Sequence, residues 1–323
     1  MIYGAVGYMG RMVAHQAKAA GLDVVIAGRD EGRLARLATE LDVRYRVFAV
    51  DGDLSVTRLD GIHTVLNCAG PFVKTAGPLM RACLQASAHY LDITAEIGVY
   101  QLAESFAAAA REANVMLMPG VGWDVVPTDC LAMQVVERVA QPVQLRIALK
   151  VAGPMSRGSA VSAGEIIAAG VLERVDGEWV ARPDAPSALF DFGDGPVECF
   201  PLAFGDLVTA PYSTGVRNVS MFVHVAGDAF PEGDLSLLPE GPTLEQREAH
   251  RASAVVEVTG ADGSVARAMI ETINGYSYTP LAAVAAAVRV TRGEWRPGFE
   301  TPARLFGSGF AETIPGSKVT HLA

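Results

Sequence analysis

A doubly wound α/β fold is predicted for residues 1–123, followed by a second, α+β domain built on an antiparallel sheet over 124–290. A C-terminal segment, 291–323, is expected to return to the first domain. Three observations carry this reading. Short β-branched runs alternate with amphipathic helical stretches as far as Gly122. A glycine triplet, Gly4, Gly7 and Gly10, stands where the first run gives way to the first helix. Beyond Trp123 the apolar period shortens from helical spacing to strict alternation. Strand and helix taking turns implies crossovers between parallel strands, whereas strict alternation implies a sheet with one wet face.

The runs MIY, DVVIA, RVFAV, TVLNC, HYLDI and VMLMP read as the strands of the first domain. The first helix carries Met9, Met12, Val13, Gln16, Ala17 and Ala20 and stops at Gly21. Asp30 caps the second, which places Leu34, Leu37, Ala38 and Leu41 on one face. A third helix carries Leu79, Ala82, Cys83 and Ala86, and a fourth Val99, Leu102, Ala103 and Phe106. The second domain opens with DVVPTDCLAMQVVERVA, read as a helix with Asp124 as its cap. VQLRIALKV and RNVSMFVHV then alternate as strands, and SAVVEVTGADGSVARAMIETI reads as a hairpin around a Gly-Ala-Asp-Gly turn. YTPLAAVAAAVRV is an apolar helix, and Asp228 to Pro242, rich in glycine, proline and acids, reads as a surface loop.

The 26 basic and 36 acidic residues give a net charge of −10, the wrong sign for binding nucleic acid or an anionic membrane surface. No apolar run approaches the ~20 residues of a spanning helix and no leader pattern is visible, so a cytoplasmic location is expected. Cys68, Cys83, Cys130 and Cys199 are scattered without C-x-x-C pairs, as reduced core thiols are, and no metal site is expected.

In a Rossmann-type domain Gly4 would end the first strand, Gly7 would let the backbone approach a pyrophosphate, and Gly10 would let the helix sit close to the sheet. At the end of the second strand, AGRD puts Gly28 and Arg29 where an NAD site would carry an acid for the ribose hydroxyls. A guanidinium there suits a 2′-phosphate, so NADP(H) is the expected cofactor, with Arg33 one helical turn on as a second contact. The competing reading makes Arg29 a solvated turn residue. NCAGPF, comprising Asn67, Cys68, Ala69, Gly70, Pro71 and Phe72, ends the fourth strand in a small-residue loop suited to the nicotinamide half.

These motifs, with ACLQASAHYLDITAE and PGVGWDVVPTDCLA, resemble the saccharopine dehydrogenase-like NADP-binding oxidoreductases, a family that includes trans-acting enoyl reductases. FPLAFGDLVTAPYSTGVRNV resembles that family's substrate domain more loosely. The resemblance implies a dinucleotide held by Gly4, Ala5, Gly7, Tyr8 and Met9, with Arg29 at the adenosine phosphate and Asn67 to Phe72 near the ribose and nicotinamide. Members often carry Thr where this chain has Val6 and Met9, and Gly where it has Ala95, which implies one hydroxyl fewer on the phosphates.

Hydride transfer belongs to the nicotinamide, and the protein usually supplies a proton. No Tyr is followed four residues later by Lys, and neither His-Glu-x-x-His nor G-x-S-x-G occurs. The remaining candidates are Tyr90, Glu96 and Asp124 for proton handling, with Trp123, Ser159 and Ser162 as substrate contacts. For each a plain structural role, as packing, cap or loop acceptor, is the alternative. Lys150 and His224 read as sheet residues. The expected activity is reduction of a C=C, C=O or C=N bond of a small or lipid-like substrate. Arg157 and Arg217 are few cations for a substrate bearing several carboxylates, which favours a less polar acceptor over an amino-acid imine of the saccharopine dehydrogenase type. A non-catalytic NADP(H) sensor or partner subunit, and a scaffold without cofactor, are the rival classes. The open face of an antiparallel sheet would be the surface for pairing two copies of the chain.

Overall fold

The structure, a computed structural model, describes residues 1–50, 54–226 and 234–322. Its contacts divide the chain into two units: Met1–Thr94 with Gly98–Gly122 and Thr279–Glu300, and Ala95–Ile97 with Trp123–Tyr278 and Thr301–Ala323.

The first unit begins with β1 (Ile2–Tyr3), α1 (Tyr8–Ala19), β2 (Val25–Gly28), α2 (Glu31–Leu41), β3 (Arg44–Val47) and β4 (Thr64–Asn67). It continues through α3 (Phe72–Ala86), β5 (His89–Asp92), α4 (Ile97–Ser105), α5 (Ala107–Glu112) and β6 (Met116–Met118). β2, β4, β5 and β6 are buried along their whole length, as strands covered on both faces must be. β3, at the edge, leaves Arg44 and Tyr45 in solvent and starts two residues earlier than the apolar run suggested. The predicted fourth helix is broken at Phe106 into α4 and α5.

The second unit contributes α6 (Val126–Val136), β7 (Pro142–Ala152), α7 (Arg157–Ala168), β8 (Leu172–Val175), β9 (Glu178–Ala181), β10 (Ala188–Asp191), β11 (Pro196–Pro201), α8 (Asp206–Thr214) and β12 (Val219–Ala226). After these come α9 (Leu244–Glu248), β13 (Arg251–Gly260) and β14 (Val265–Ile273). The chain then runs through α10 (Gly275–Thr291), β15 (Gly298–Phe299), α11 (Pro302–Phe306) and β16 (Lys318–Leu322).

The first sheet has the order β15-β6-β5-β4-β1-β2-β3, and every pairing in it is parallel. Strand order therefore reverses between β1 and β4, the point at which open α/β sheets bind ligands outside their carboxyl ends. The C-terminal segment does not return as a whole. Its β15 extends this sheet beside β6, whereas β16 pairs with β14 in the second unit.

The second sheet runs β10-β11-β12-β7-β13-β14-β16, with β8 and β9 joined through β12. It is mixed rather than purely antiparallel. β7 and β12 are parallel from Leu145 beside Val219 to Ala152 beside Ala226, and the long connection between them supplies the crossover a parallel pair needs. One face gathers Leu145, Ile147, Val256, Val258 and Ile270, with α6 packed on β13 and β14. The expected wet face is filled near its centre by Ala148, Phe190, Phe192, Cys199, Phe222 and Val255. This is why β12 is buried for five residues running instead of alternating. Arg146 lies over the Phe190 and Phe222 rings, 4.7 and 5.3 Å from their centroids, and pairs with Glu257 at 2.7 Å. Burial alone would raise the Glu257 carboxyl, but hydrogen bonds from Arg267 and Arg146 hold it below its ordinary value.

The Gly-Ala-Asp-Gly hairpin forms as read, with Gly260 N–H on Ser264 O and Gly263 N–H on Gly260 O. Asp124 does not cap α6. The N-cap is Val125, without a side-chain hydrogen bond, and Thr128 Oγ1 turns back onto the Val125 carbonyl. Of the acidic loop, residues 228–233 lie outside the described residues, and Leu235–Leu237 form a short 3-10 turn. The four cysteines are buried and free. Among the described residues no helix is long and apolar enough to cross a membrane, and no cluster of His, Cys, Asp and Glu is placed to hold a metal.

Candidate cofactor and active site

The chain leaves β1 at Gly4 in the left-handed region, φ +80°, and the Gly4 and Ala5 N–H groups both bond Ala27 O. A Cβ on Gly4 would lie 2.8 Å from Ala69 Cβ, so the turn after β1 rests directly on the loop after β4. A Cβ on Gly10 would lie 2.1 Å from Gly4 O, which is the close approach of helix to strand that the motif demands. Gly7 is the exposed N-cap of α1, and a Cβ there would meet only Gly4 O, at 3.4 Å. α1 has no side-chain cap and no acid in its first turn. α2, by contrast, has Asp30 accepting from Arg33 N–H at 2.9 Å and Glu31 in its first turn. The positive end of α1 is thus presented for an anion and that of α2 is already neutralised.

At the end of β2, Gly28 is buried and Arg29 is exposed, with no ion pair among the described residues. Arg33 does something different from the expected phosphate contact: its Nη2 donates to Val6 O at 2.7 Å and so braces the glycine turn from α2.

Beyond β4 and β5 lies a buried polar network. Asn67 and Asp92 are register neighbours at the ends of the two strands. Asn67 Nδ2 donates to Thr75 Oγ1 (3.0 Å) and to Tyr90 Oη (3.2 Å), while its Oδ1 accepts from Ala69 N–H (3.0 Å). Tyr90 Oη donates to Asp92 Oδ2 at 2.8 Å, and Asp92 Oδ1 accepts from Thr94 and Gly120 N–H at 3.1 and 2.9 Å. Asn67, Tyr90 and Asp92 are each 0 % exposed. Burial and the adjacent Asp92 push the Tyr90 phenol well above its ordinary value, and the same two causes raise the Cys68 thiol. Tyr90 therefore holds its proton inside the protein, on Asp92, and is no surface acid. The sequence pattern set Tyr90 and Asp92 on one face of a strand but gave no sign of Thr75 or Gly120 as partners. Pro71 precedes α3 as an N-cap without side-chain bonds, with Phe72 buried behind it.

In the second unit, Glu96 is buried and accepts from Ser162 Oγ at 2.6 Å. α7 starts one turn earlier than Ser159: Ser156 is its cap, accepting from Ser159 N–H at 3.0 Å and donating to Ser159 Oγ. Trp123 is a packing residue. It is buried, donates Nε1–H to Thr272 Oγ1 at 2.9 Å and lies against Gly275. Asp124 keeps some exposed surface, yet its carboxyl is desolvated enough to be raised to about 6. Lys150 and His224 are register partners on β7 and β12, with Lys150 near Asp194 and His224 Nδ1 on Glu198 O. The Arg157 guanidinium donates to Leu238 O and that of Arg217 to Asp176 O.

A parallel sheet that reverses between its first and fourth strands, with an uncapped glycine corner at the first and an arginine at the end of the second, is a domain of Rossmann type. Residues 1–118 match the saccharopine dehydrogenase NADP binding domain. The whole chain shares its fold with apo saccharopine dehydrogenase (L-Glu forming) from Saccharomyces cerevisiae, with a TM-score of 0.67 and 13 % identity over 100 % of this chain and 99 % of that one. A lipid droplet localized protein of Caenorhabditis elegans is 24 % identical over 144 residues, 40 % of this chain and 34 % of the relative. A trans-acting enoyl reductase of Mycobacterium tuberculosis is 24 % identical over 148 residues, 43 % of this chain and 35 % of the relative. The match thus spans about a third of the length of these curated relatives.

Proposed function

We propose that this protein is an NADP(H)-dependent oxidoreductase that reduces a C=C, C=O or C=N bond of a small, weakly polar or lipid-like substrate. The observation that carries the reading is the pair of corners after β1 and β2: first-turn amides without a cap at one, and at the other Arg29 where an acid would read NAD. When bound, the dinucleotide supplies the hydride. The α1 amides from Tyr8 onward would hold the pyrophosphate, Arg29 would take the 2′-phosphate, and the loop Cys68 to Phe72, anchored by the buried Asn67, would line the ribose and nicotinamide.

Asp124 is the proton donor. Its carboxyl keeps the proton up to about pH 6 because burial disfavours the charge, and its residual exposure leaves it a path to solvent. Glu96, tied to Ser162, orients rather than delivers. With the Arg157 and Arg217 guanidinia both spent on backbone carbonyls, the second unit offers little to a substrate with several carboxylates. The names of the two curated relatives, an enoyl reductase and a lipid droplet protein, favour an activated C=C bond on a lipid-like chain.

The test is a titration with NADPH and NADH followed by loss of NADPH absorbance over a panel of enones, ketones and imines. NADPH-selective binding with turnover of an enone is the expected result. Binding without turnover across the panel makes the protein a sensor or partner subunit, and no binding overturns the reading entirely.

A further inference from the structure

We propose that the buried relay Asn67–Tyr90–Asp92 is the positioning device for the nicotinamide half of the dinucleotide, setting the three loops that this half must contact. The inference rests on the cofactor reading above and adds to it a division of labour between the two halves of the first unit.

The strands of a doubly wound sheet serve as two mononucleotide-binding halves, and the second half here is β4, β5 and β6. One connected set of side chains reaches the loop after each of these strands. Asn67 Oδ1 holds the Ala69 N–H, and Thr75 Oγ1, itself bonded by Asn67, donates to Ala69 O at 2.6 Å, so the loop after β4 is fixed at the two successive peptides that flank Ala69. Asp92 Oδ1 holds Thr94 N–H after β5 and Gly120 N–H after β6. The Asp92 carbonyl adds Val121 N–H. Tyr90 joins the two ends, accepting from Asn67 and donating to Asp92. Tyr100 backs the arrangement by donating to Thr94 O at 2.6 Å while its ring packs on Gly120. None of these hydrogen bonds reaches the glycine turn or the Arg29 corner, where the brace is Arg33 on Val6 O; the two sides meet in the packing of Ala69 against Gly4.

With no exposed surface, Asn67, Tyr90 and Asp92 touch neither substrate nor cofactor, so their effect on binding must pass through the loops they hold. Tyr90→Phe keeps the ring and its packing. It takes one donor from a buried carboxylate and one acceptor from Asn67, which still has Thr75. Loosening the three loops should weaken a ligand that uses them and leave unchanged one that does not.

The experiment is calorimetric titration of the full chain and its Tyr90→Phe variant with two probes: NADPH, and adenosine 2′,5′-bisphosphate, which carries only the adenosine half with its extra phosphate. Loss of one net hydrogen bond in the relay is expected to weaken NADPH by about 3- to 10-fold and to change the bisphosphate by less than about 2-fold. Thr75→Val, which unties Ala69 without touching Tyr90, should show the same split, and Thr75→Ser should restore wild-type NADPH binding. It also serves as the test should Tyr90→Phe not fold. Equal weakening of both probes, or no change in either, overturns the proposal and leaves the relay a purely structural feature. A wild-type chain that binds neither probe overturns the cofactor reading instead.

Discussion

Arg29 and Arg33 are four residues apart, and the structure gives them different work. Arg29 stands exposed at the end of β2, whereas Arg33 reaches back to the Val6 carbonyl. Arg29→Ser should therefore cost about 10- to 100-fold in NADPH affinity, the value of a charge-assisted phosphate contact, and leave NADH nearly unchanged. Arg33→Met should weaken both coenzymes by a similar factor, because it loosens the turn that holds the pyrophosphate they share. Parallel calorimetric titrations separate the two. With Asp124 as the proposed proton donor the acid form would be the active one, so turnover should fall as pH rises through about 6. Asp124→Asn should lower kcat by about 10²- to 10⁴-fold and flatten that limb of the profile. A variant profile that keeps the limb assigns the proton to another group. The places of Arg29, at the end of the second strand, and of Asp124, a few residues after the sixth, were legible in the sequence. What the sequence could not show were partners far along the chain. Ser162 meets Glu96 across 66 residues and Trp123 meets Thr272 across 149, and no periodicity encodes either pairing.

Two glycines in helices illustrate opposite constraints on the elements. A Cβ on Gly10 would strike backbone atoms, Gly4 O at 2.1 Å and Ala5 Cα at 2.8 Å, so Gly10→Ala must push α1 away from β1. It should cost about 1–3 kcal/mol and abolish most NADPH binding, since the first-turn amides move with the helix. Gly164, exposed within α7, meets nothing within 4 Å, and Gly164→Ala should stabilise by about 0.5–1 kcal/mol with no effect on NADPH. Denaturant melts and a single titration read both. The elements of the first unit were legible because its strands are continuous apolar runs and its helices have clean faces. The second sheet was less so. Alternation in VQLRIALKV told that it is a strand but not that its neighbour β12 runs parallel to it, because that pairing is made across a connection holding two helices and four strands. The two-residue β15 was also beyond reach, since Gly298 and Phe299 carry no pattern of their own and are a strand only because β6 offers them an edge.

The two units carry buried titratable groups of opposite sign, so acid should act on them in opposite directions. In the first, His89 accepts from Met116 N–H, and burial, with His63 beside it, pulls the imidazole down to about 4. A group whose folded value lies below its unfolded one near 6.5 binds fewer protons when folded. Its contribution therefore falls as pH drops through that window. In the second, burial raises Asp124 to about 6 and also raises Asp129 and Asp206, which repel each other. Asp129 Oδ2 accepts from Ala303 N–H and Asp206 Oδ2 from Thr128 Oγ1, while the Oδ1 of each has no hydrogen-bond partner among the described residues. Carboxyls whose folded values are raised bind more protons when folded. The stability they allow is complete below their unfolded value and is lost as pH rises through the folded one, so acidification toward about pH 5 restores it. Glu257, held below its ordinary value by two arginines, stays charged throughout that range and does not enter. Hydrogen exchange at about pH 7 and about pH 5, corrected for intrinsic rates, should show protection falling in β5 and β6 and rising in α6 and α8. His89→Asn, which can still accept from Met116, should flatten the first response and leave the second, whereas Asp206→Asn should do the reverse. Protection that moves the same way in both units would mean that neither buried set governs the acid response.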